Sequence, residues 1–183
     1  PYAYSSGPQY GIWYNMIEPL VDVDFAKRSY FGVLAESWEF QGKKWILKLR
    51  KNVRFHDGGR FSAADVIYSF NRVKNDKLSL QKENFRDLVE MQALDDHTLV
   101  FVTELPNAVF LDRLENRFII SKSATEAQGG EPGEHKPVGT GPYRFVSWQR
   151  EGNLVMTRHD HYWGTKPAVK EIVIRRVRED AGR

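Results

Sequence analysis

Three short segments of this chain hold residue types that do chemistry. His56-Asp57 pairs an imidazole with a carboxylate, as in a hydrolytic triad where Asp orients His. The pair sits in His56-Asp57-Gly58-Gly59, however, and Asp-Gly is a turn signal. His159-Asp160-His161 offers two imidazoles, which share a face only on a strand. No third ligand stands at a recognisable spacing from them, so a polar surface turn ahead of Tyr162-Trp163 is expected rather than a metal site. Gly139-Thr140-Gly141-Pro142 is glycine-rich like a phosphate-cradling loop. It lacks the Gly-Lys-Ser/Thr ending, and Pro142 leads into a strand rather than a helix. A tight turn stiffened by Pro137 and Pro142 is the reading. Catalytic residues, metal ligands and cofactors are therefore all assigned as none.

The elements that must position these segments follow from periodicity. Tyr4 to Tyr10 reads as a loop. Ile12, Met16, Ile17 and Leu20 follow at helical spacing, and Pro19 predicts that the helix is short. Trp38 to Phe40 and Lys44 to Arg50 read as strands joined by a hairpin turn at Gln41-Gly42-Lys43. Trp45, Leu47 and Leu49 alternate with Lys44, Lys48 and Arg50, which predicts a half-buried strand with the cations outward. Ser62 precedes Asp65 by three residues, a capping-box spacing with Asp in the Glu role. Ala63, Val66, Ile67, Phe70 and Val73 then form one apolar helical face. A second helix is predicted around Asn84 to Val89. A third begins at Pro106, with Phe110, Leu111 and Leu114 inward. Strands are predicted at Thr98 to Thr103, Tyr143 to Trp148, Asn153 to Thr157 and Glu171 to Val177. The stretch Gln128 to Glu134 holds only turn and polar residues and reads as a surface loop or boundary. The result is a mixed α/β chain with hairpins.

Composition bounds the function. Of the 183 residues, 41% are hydrophobic and 28% charged, which is ordinary for a folded domain. There is no cysteine, which excludes disulfides, thiol nucleophiles and thiolate metal sites and is compatible with an oxidising compartment. No apolar run is long enough for a membrane span, and a signal peptide is not expected within these residues. The chain starts at Pro1, so a processed or trimmed start is expected. Net charge is +3, and the densest cations are Lys43, Lys44, Lys48, Arg50, Lys51 and Arg54. They interleave with apolar residues at period two instead of lining one face with stacking aromatics, which argues against nucleic acid as a partner.

The order of the motifs is more informative than any one of them. Ile17-Glu18-Pro19-Leu20-Val21 comes first, then Leu34-Ala35-Glu36-Ser37-Trp38 and Trp45-Ile46-Leu47-Lys48-Leu49-Arg50. Val53-Arg54-Phe55-His56-Asp57-Gly58 and Phe61-Ser62-Ala63-Ala64-Asp65-Val66 follow. Later come Pro137-Val138-Gly139-Thr140-Gly141-Pro142-Tyr143 and Tyr162-Trp163-Gly164. In this order the chain resembles the family 5 extracellular solute-binding proteins, the peptide and nickel binders of ABC importers.

The resemblance implies a lobe of the type II periplasmic-binding-protein fold, with mixed sheets, flanking helices and the second lobe missing. It implies an N-terminal fragment in which residues 1–21 and 137–183 form part of the first lobe and residues 22–136 a smaller inserted domain. The implied function is capture of peptides or similar small solutes, without enzymatic activity. The implied partners are a solute and an ABC permease, at a periplasmic or extracellular location with lipid anchoring as an option. The alternative is a solute-sensing domain of a cytoplasmic transcription regulator. By the same resemblance, ligand contacts fall on Tyr4, Ser5, Gln9 and Tyr10, with Trp13 and Tyr14 just after, and on Asn84 or Phe85. Trp13 could equally pack against a sheet. Arg117 could meet a ligand carboxylate or metal complex, or be a surface or strand-end arginine. The shared motifs themselves read as framework.

Overall fold

The computed structural model describes residues 7–76, 79, 81–129, 136–149 and 152–175, with backbone only for residues 7–10. Helix α1 (Gly7–Tyr14) leads into a small hairpin of β1 (Val21–Asp24) and β2 (Ser29–Gly32). Then come β3 (Ala35–Gln41), β4 (Lys44–Leu49), helix α2 (Ala63–Asn75), β5 (Leu88–Asp95) and β6 (Thr98–Thr103). Helix α3 (Lys122–Ala127) precedes β7 (Tyr143–Trp148), β8 (Asn153–Arg158) and β9 (Glu171–Arg175). The strands make an antiparallel four-stranded sheet ordered β3-β4-β6-β5 and an antiparallel three-stranded sheet ordered β7-β8-β9.

Each sheet carries its own core. In the larger one, β4 buries Trp45, Leu47 and Leu49, as the alternation predicts. Phe101 of β6 lies 5.1 Å from Phe70 of α2 and 5.3 Å from Phe110, so helix and sheet meet through packed rings. The smaller core joins Met16, Ile17 and Phe118 to Tyr143 and Met156, with Ile172 and Ile174 packed alongside. Gly42, at φ +64°, makes the tight β3–β4 turn in the left-handed region that favours glycine.

The capping spacing at Ser62 is realised through Asp65. Its Oδ2 accepts from the Ser62 backbone N–H at 3.0 Å and from Ser62 Oγ at 2.9 Å. Its Oδ1 accepts the Lys122 N–H at 2.9 Å, so one buried carboxylate holds the starts of both α2 and α3.

Several expectations are corrected. The helix lies earlier than predicted: Gly7–Tyr14 is helical, while residues 15–20 are not. Pro19 disfavours helix for Glu18 before it. The carbonyls of Asn15 and Met16 instead accept from Tyr143 and Gly141 at 2.8 and 3.0 Å. The helix expected around Asn84 to Val89 is a 3-10 turn, Lys82–Phe85, followed by edge strand β5. Only Leu88 of that strand is buried, so it carries no apolar alternation to read. Its ladder with β6 decides its conformation. The segment after Pro106 forms only a 3-10 turn at Phe110–Arg113, although Phe110, Leu111 and Leu114 are buried as expected. Arg50 is not outward but half-buried. Among the described residues, no helix is long and apolar enough to cross a membrane.

Candidate functional site

The motifs converge. Glu18 is carried in the extended segment before β1 and is almost fully buried. Its Oε2 accepts from Thr140 Oγ1 at 2.8 Å and from Trp163 Nε1 at 2.8 Å, and its Oε1 accepts from Tyr162 Oη at 2.6 Å. Arg50 sits over the Trp163 ring, 4.6 Å from its centroid, and donates to the Val33 carbonyl at 2.5 Å. Burial pushes the Glu18 carboxyl above its usual range, against the downward pull of Tyr162, Trp163, Thr140 and the Arg50 charge. Burial likewise pushes the Tyr162 hydroxyl far up, reinforced by the Glu18 charge beside it. Three segments distant in sequence from Glu18, those of Arg50, Thr140 and Tyr162–Trp163, thus gather around one carboxylate.

The Gly139–Gly141 turn reaches this junction because its two glycines carry no side chains to obstruct the approach. A Cβ on Gly139 would lie 2.2 Å from the Met16 carbonyl oxygen, and one on Gly141 would lie 2.7 Å from the Met16 carbonyl carbon. The second face of the turn is held by His56. Its backbone N–H donates to the Gly139 carbonyl at 2.9 Å, and its Nδ1 accepts the Gly139 N–H at 3.3 Å. Nδ1 is therefore the acceptor, and Nε2–H donates to the Gly141 carbonyl at 3.0 Å. Burial lowers the His56 pKa to about 4, with smaller downward contributions from His159 and Arg144. The upward pull comes from the Gly141 carbonyl and Asp57.

His159 departs from the expected surface turn. It is buried, with its ring edge-on to His56 at 5.1 Å between centroids. Burial holds its imidazole below the ordinary range. Its N–H donates to the Pro142 carbonyl, and its carbonyl accepts from Tyr162, so this turn aims Tyr162 and Trp163 at Glu18. Asp160 and His161 are exposed, as expected. Among the described residues, no group of three or more His, Cys, Asp or Glu side chains could hold a metal ion.

Both Glu18 oxygens and both His56 ring nitrogens are engaged by the protein. Asp57, the partner a triad would need, instead accepts the Gly59 N–H at 2.9 Å in its own turn.

The residues assigned to ligand contact lie elsewhere, and those with described side chains are spread over α1, the Lys82–Phe85 turn and the segment before α3. Tyr4 and Ser5 lie outside the described residues, and Gln9 and Tyr10 are described only as α1 backbone. Trp13 is half-buried against the smaller core. Tyr14 donates to the Asn116 side-chain oxygen and stands edge-on to Phe118 at 5.0 Å. Asn84 is exposed on the 3-10 turn. Phe85 is fully buried, 5.2 Å from Phe70, and presents no surface to a solute. The Arg117 guanidinium lies 5.6 Å from the centre of the Phe85 ring. Sequence reasoning missed the roles of Glu18, Arg50, Thr140 and His159, reading Glu18 and Thr140 as framework, Arg50 as an outward cation and His159 as part of a surface turn. The one signal for them is that each falls in or beside a motif that had been read as framework.

Comparison with known structures places the fold among the periplasmic binding proteins. The binding protein DppA of Helicobacter pylori, in complex with peptide STSA, superposes over 100% of this chain and 41% of its own, with TM-score 0.87 and 27% identity. NikZ of Campylobacter jejuni, in complex with Ni(L-His), superposes over 97% of this chain and 36% of its own, with TM-score 0.84 and 28% identity. A family profile described as bacterial extracellular solute-binding proteins, family 5 Middle, matches residues 30–183, and the chain belongs to that family. The dipeptide-binding protein of Escherichia coli is 34% identical over 166 residues, covering 76% of this chain and 31% of its own length. The glutathione-binding protein GsiB of Pectobacterium atrosepticum is 35% identical over 136 residues, covering 72% and 26%. The chain thus spans about a third or less of the length of these two relatives.

Proposed function

We propose that this chain is part of the substrate-binding component of an ABC importer, capturing peptides or similar small solutes for transport across the membrane. The observation that carries the reading is the superposition of the whole chain on a peptide-bound relative at 27% identity. The relatives' names point to the same chemical range: dipeptide, glutathione and a nickel–histidine chelate. No bond is broken in such capture. The engagement of Glu18 and His56 by the protein itself is in keeping with a binding role rather than catalysis. The site of action is periplasmic or extracellular, lipid anchoring at the membrane surface is a further option, and the partner is the permease.

The two separate hydrophobic cores support a division into a lobe made of residues 1–21 and 137–183 and an inserted domain of residues 22–136. Phe118 and Ile120 cross that division by packing on the smaller core, and Leu20, Val21, Val138 and Trp163 cross it the other way by packing on the larger one. The segment from Tyr4 to Tyr14 is the first place to look for solute contact.

A small ligand typically has roughly 70–90% of its surface buried in a concave site. The test is therefore comparative. A peptide library is titrated into the 183-residue chain and into the chain extended to the length of its relatives. Saturable binding by the extended chain, at least about 100-fold tighter than by the shorter one, is expected from the larger enclosed surface. Equal affinity of the two forms would refute the two-lobe reading. Absence of any peptide or chelate binding by the extended chain would refute the proposed function.

A further inference from the structure

A solute-binding role leaves the paired arginines of the hairpin between Val53 and Phe61 unexplained. Arg54 and Arg60 form an isolated antiparallel bridge, so their backbones face each other and both side chains leave on the same side. The register is held by Phe55 N–H on the Gly59 carbonyl at 2.8 Å and Phe61 N–H on the Val53 carbonyl at 3.2 Å. Like charges directly opposed across such a pair are destabilising. Among the described residues neither arginine has an ion-pair partner. Arg54 donates to the Gly58 carbonyl at 3.0 Å, which offsets no charge.

The two arginines line a cleft of about 490 Å³ together with Lys51, and all three are exposed. Three cations there face a single carboxylate in the lining, Asp96. His97 lines the same cleft and buries its Nδ1 with no hydrogen-bond partner. The protein thus assembles opposed positive charge in a concave site.

We propose that this cleft binds a phosphate-bearing anion. Two guanidinium forks and an ammonium supply more charge and more N–H donors than a carboxylate, with two oxygens and one charge, can use. A phosphate dianion matches both, and the volume accommodates it with a small substituent. The anion also relieves the Arg54–Arg60 repulsion, so binding and hairpin stability are coupled. The same chemistry comes from a soluble phosphate ester or from a lipid headgroup.

The test is calorimetric titration of the 183-residue chain with inorganic phosphate at constant ionic strength set with chloride. Saturable one-to-one binding is expected. It should weaken at least about tenfold in Arg60→Gln and in Lys51→Gln, each of which removes a charge-assisted contact. Lys170→Gln, the same charge change at an exposed position outside the cleft, leaves it intact. Without phosphate, Arg60→Gln raises the thermal midpoint, and it abolishes the phosphate-dependent rise of the wild type. Binding to phosphatidic-acid vesicles, displaced by inorganic phosphate, identifies a lipid headgroup. Phosphate binding without vesicle binding identifies a soluble ester. The proposal is overturned if chloride and phosphate raise the midpoint alike, or if Arg60→Gln and Lys51→Gln both retain wild-type phosphate affinity.

Discussion

His56 makes the stability of this chain fall in acid. Folded, its Nδ1 must accept the Gly139 N–H while Nε2–H serves the Gly141 carbonyl, so a second ring proton breaks the first bond and charges a buried group. The imidazole titrates at about 4 in the fold against an ordinary 6.5. Between those values the unfolded chain holds more protons than the folded one. The His56 contribution is therefore fully present above about pH 6.5 and is lost as pH falls towards 4. A shift of about 2.5 units, at about 1.4 kcal/mol per unit, corresponds to about 3 kcal/mol of stability between roughly pH 7.5 and pH 4. The groups that face His56 are His159, Arg144 and Asp57, and His159 titrates in the same direction. The assay is urea unfolding across this pH range for wild type and His56→Gln. Glutamine presents a neutral acceptor and donor at every pH. The variant's stability should depend on pH less steeply, by about 3 kcal/mol across the range. If the two proteins lose stability in parallel, His56 is not the group that titrates, and the neutral buried tautomer is wrong.

Other expectations follow from the same geometry. Leu47→Ala empties a fully buried position in β4 and should cost about 2–5 kcal/mol by urea unfolding. A loss below about 0.5 kcal/mol would mean that the register of β4 is wrong. Glu18→Gln puts an amide where three donors converge, leaving at least one of Thr140, Tyr162 and Trp163 without its acceptor. It should cost about 1–3 kcal/mol and shift the emission of Trp163, whereas unchanged unfolding and emission would show that the junction bears no load. Calorimetry with zinc and nickel should show no saturable tight site at His159 and His161. A stoichiometric micromolar site removed by His161→Ala would overturn that.

Much of the architecture is legible in the amino-acid order because local periodicity and packing agree there. β4 and α2 each place apolar side chains at the period of their own backbone, and the Ser62–Asp65 spacing is a local capping signal. Strands β6 and β7 likewise run over the predicted residues. Where burial is slight or pairing is remote, the sequence carries no such signal. Edge strand β5 has one buried residue and takes its conformation from β6. The segment after α1 abandons its helical spacing because its carbonyls serve a turn more than 120 residues away. The order of motifs determined the family, since order survives without contacts. Only the tertiary structure decided what the motifs do. Glu18 is one acid among many in the sequence and becomes the centre of a junction when Thr140, Tyr162 and Trp163 arrive around it. His56 and His159 are separated by about a hundred residues, and only folding, by burying both against one glycine turn, makes them neighbours with lowered pKa values.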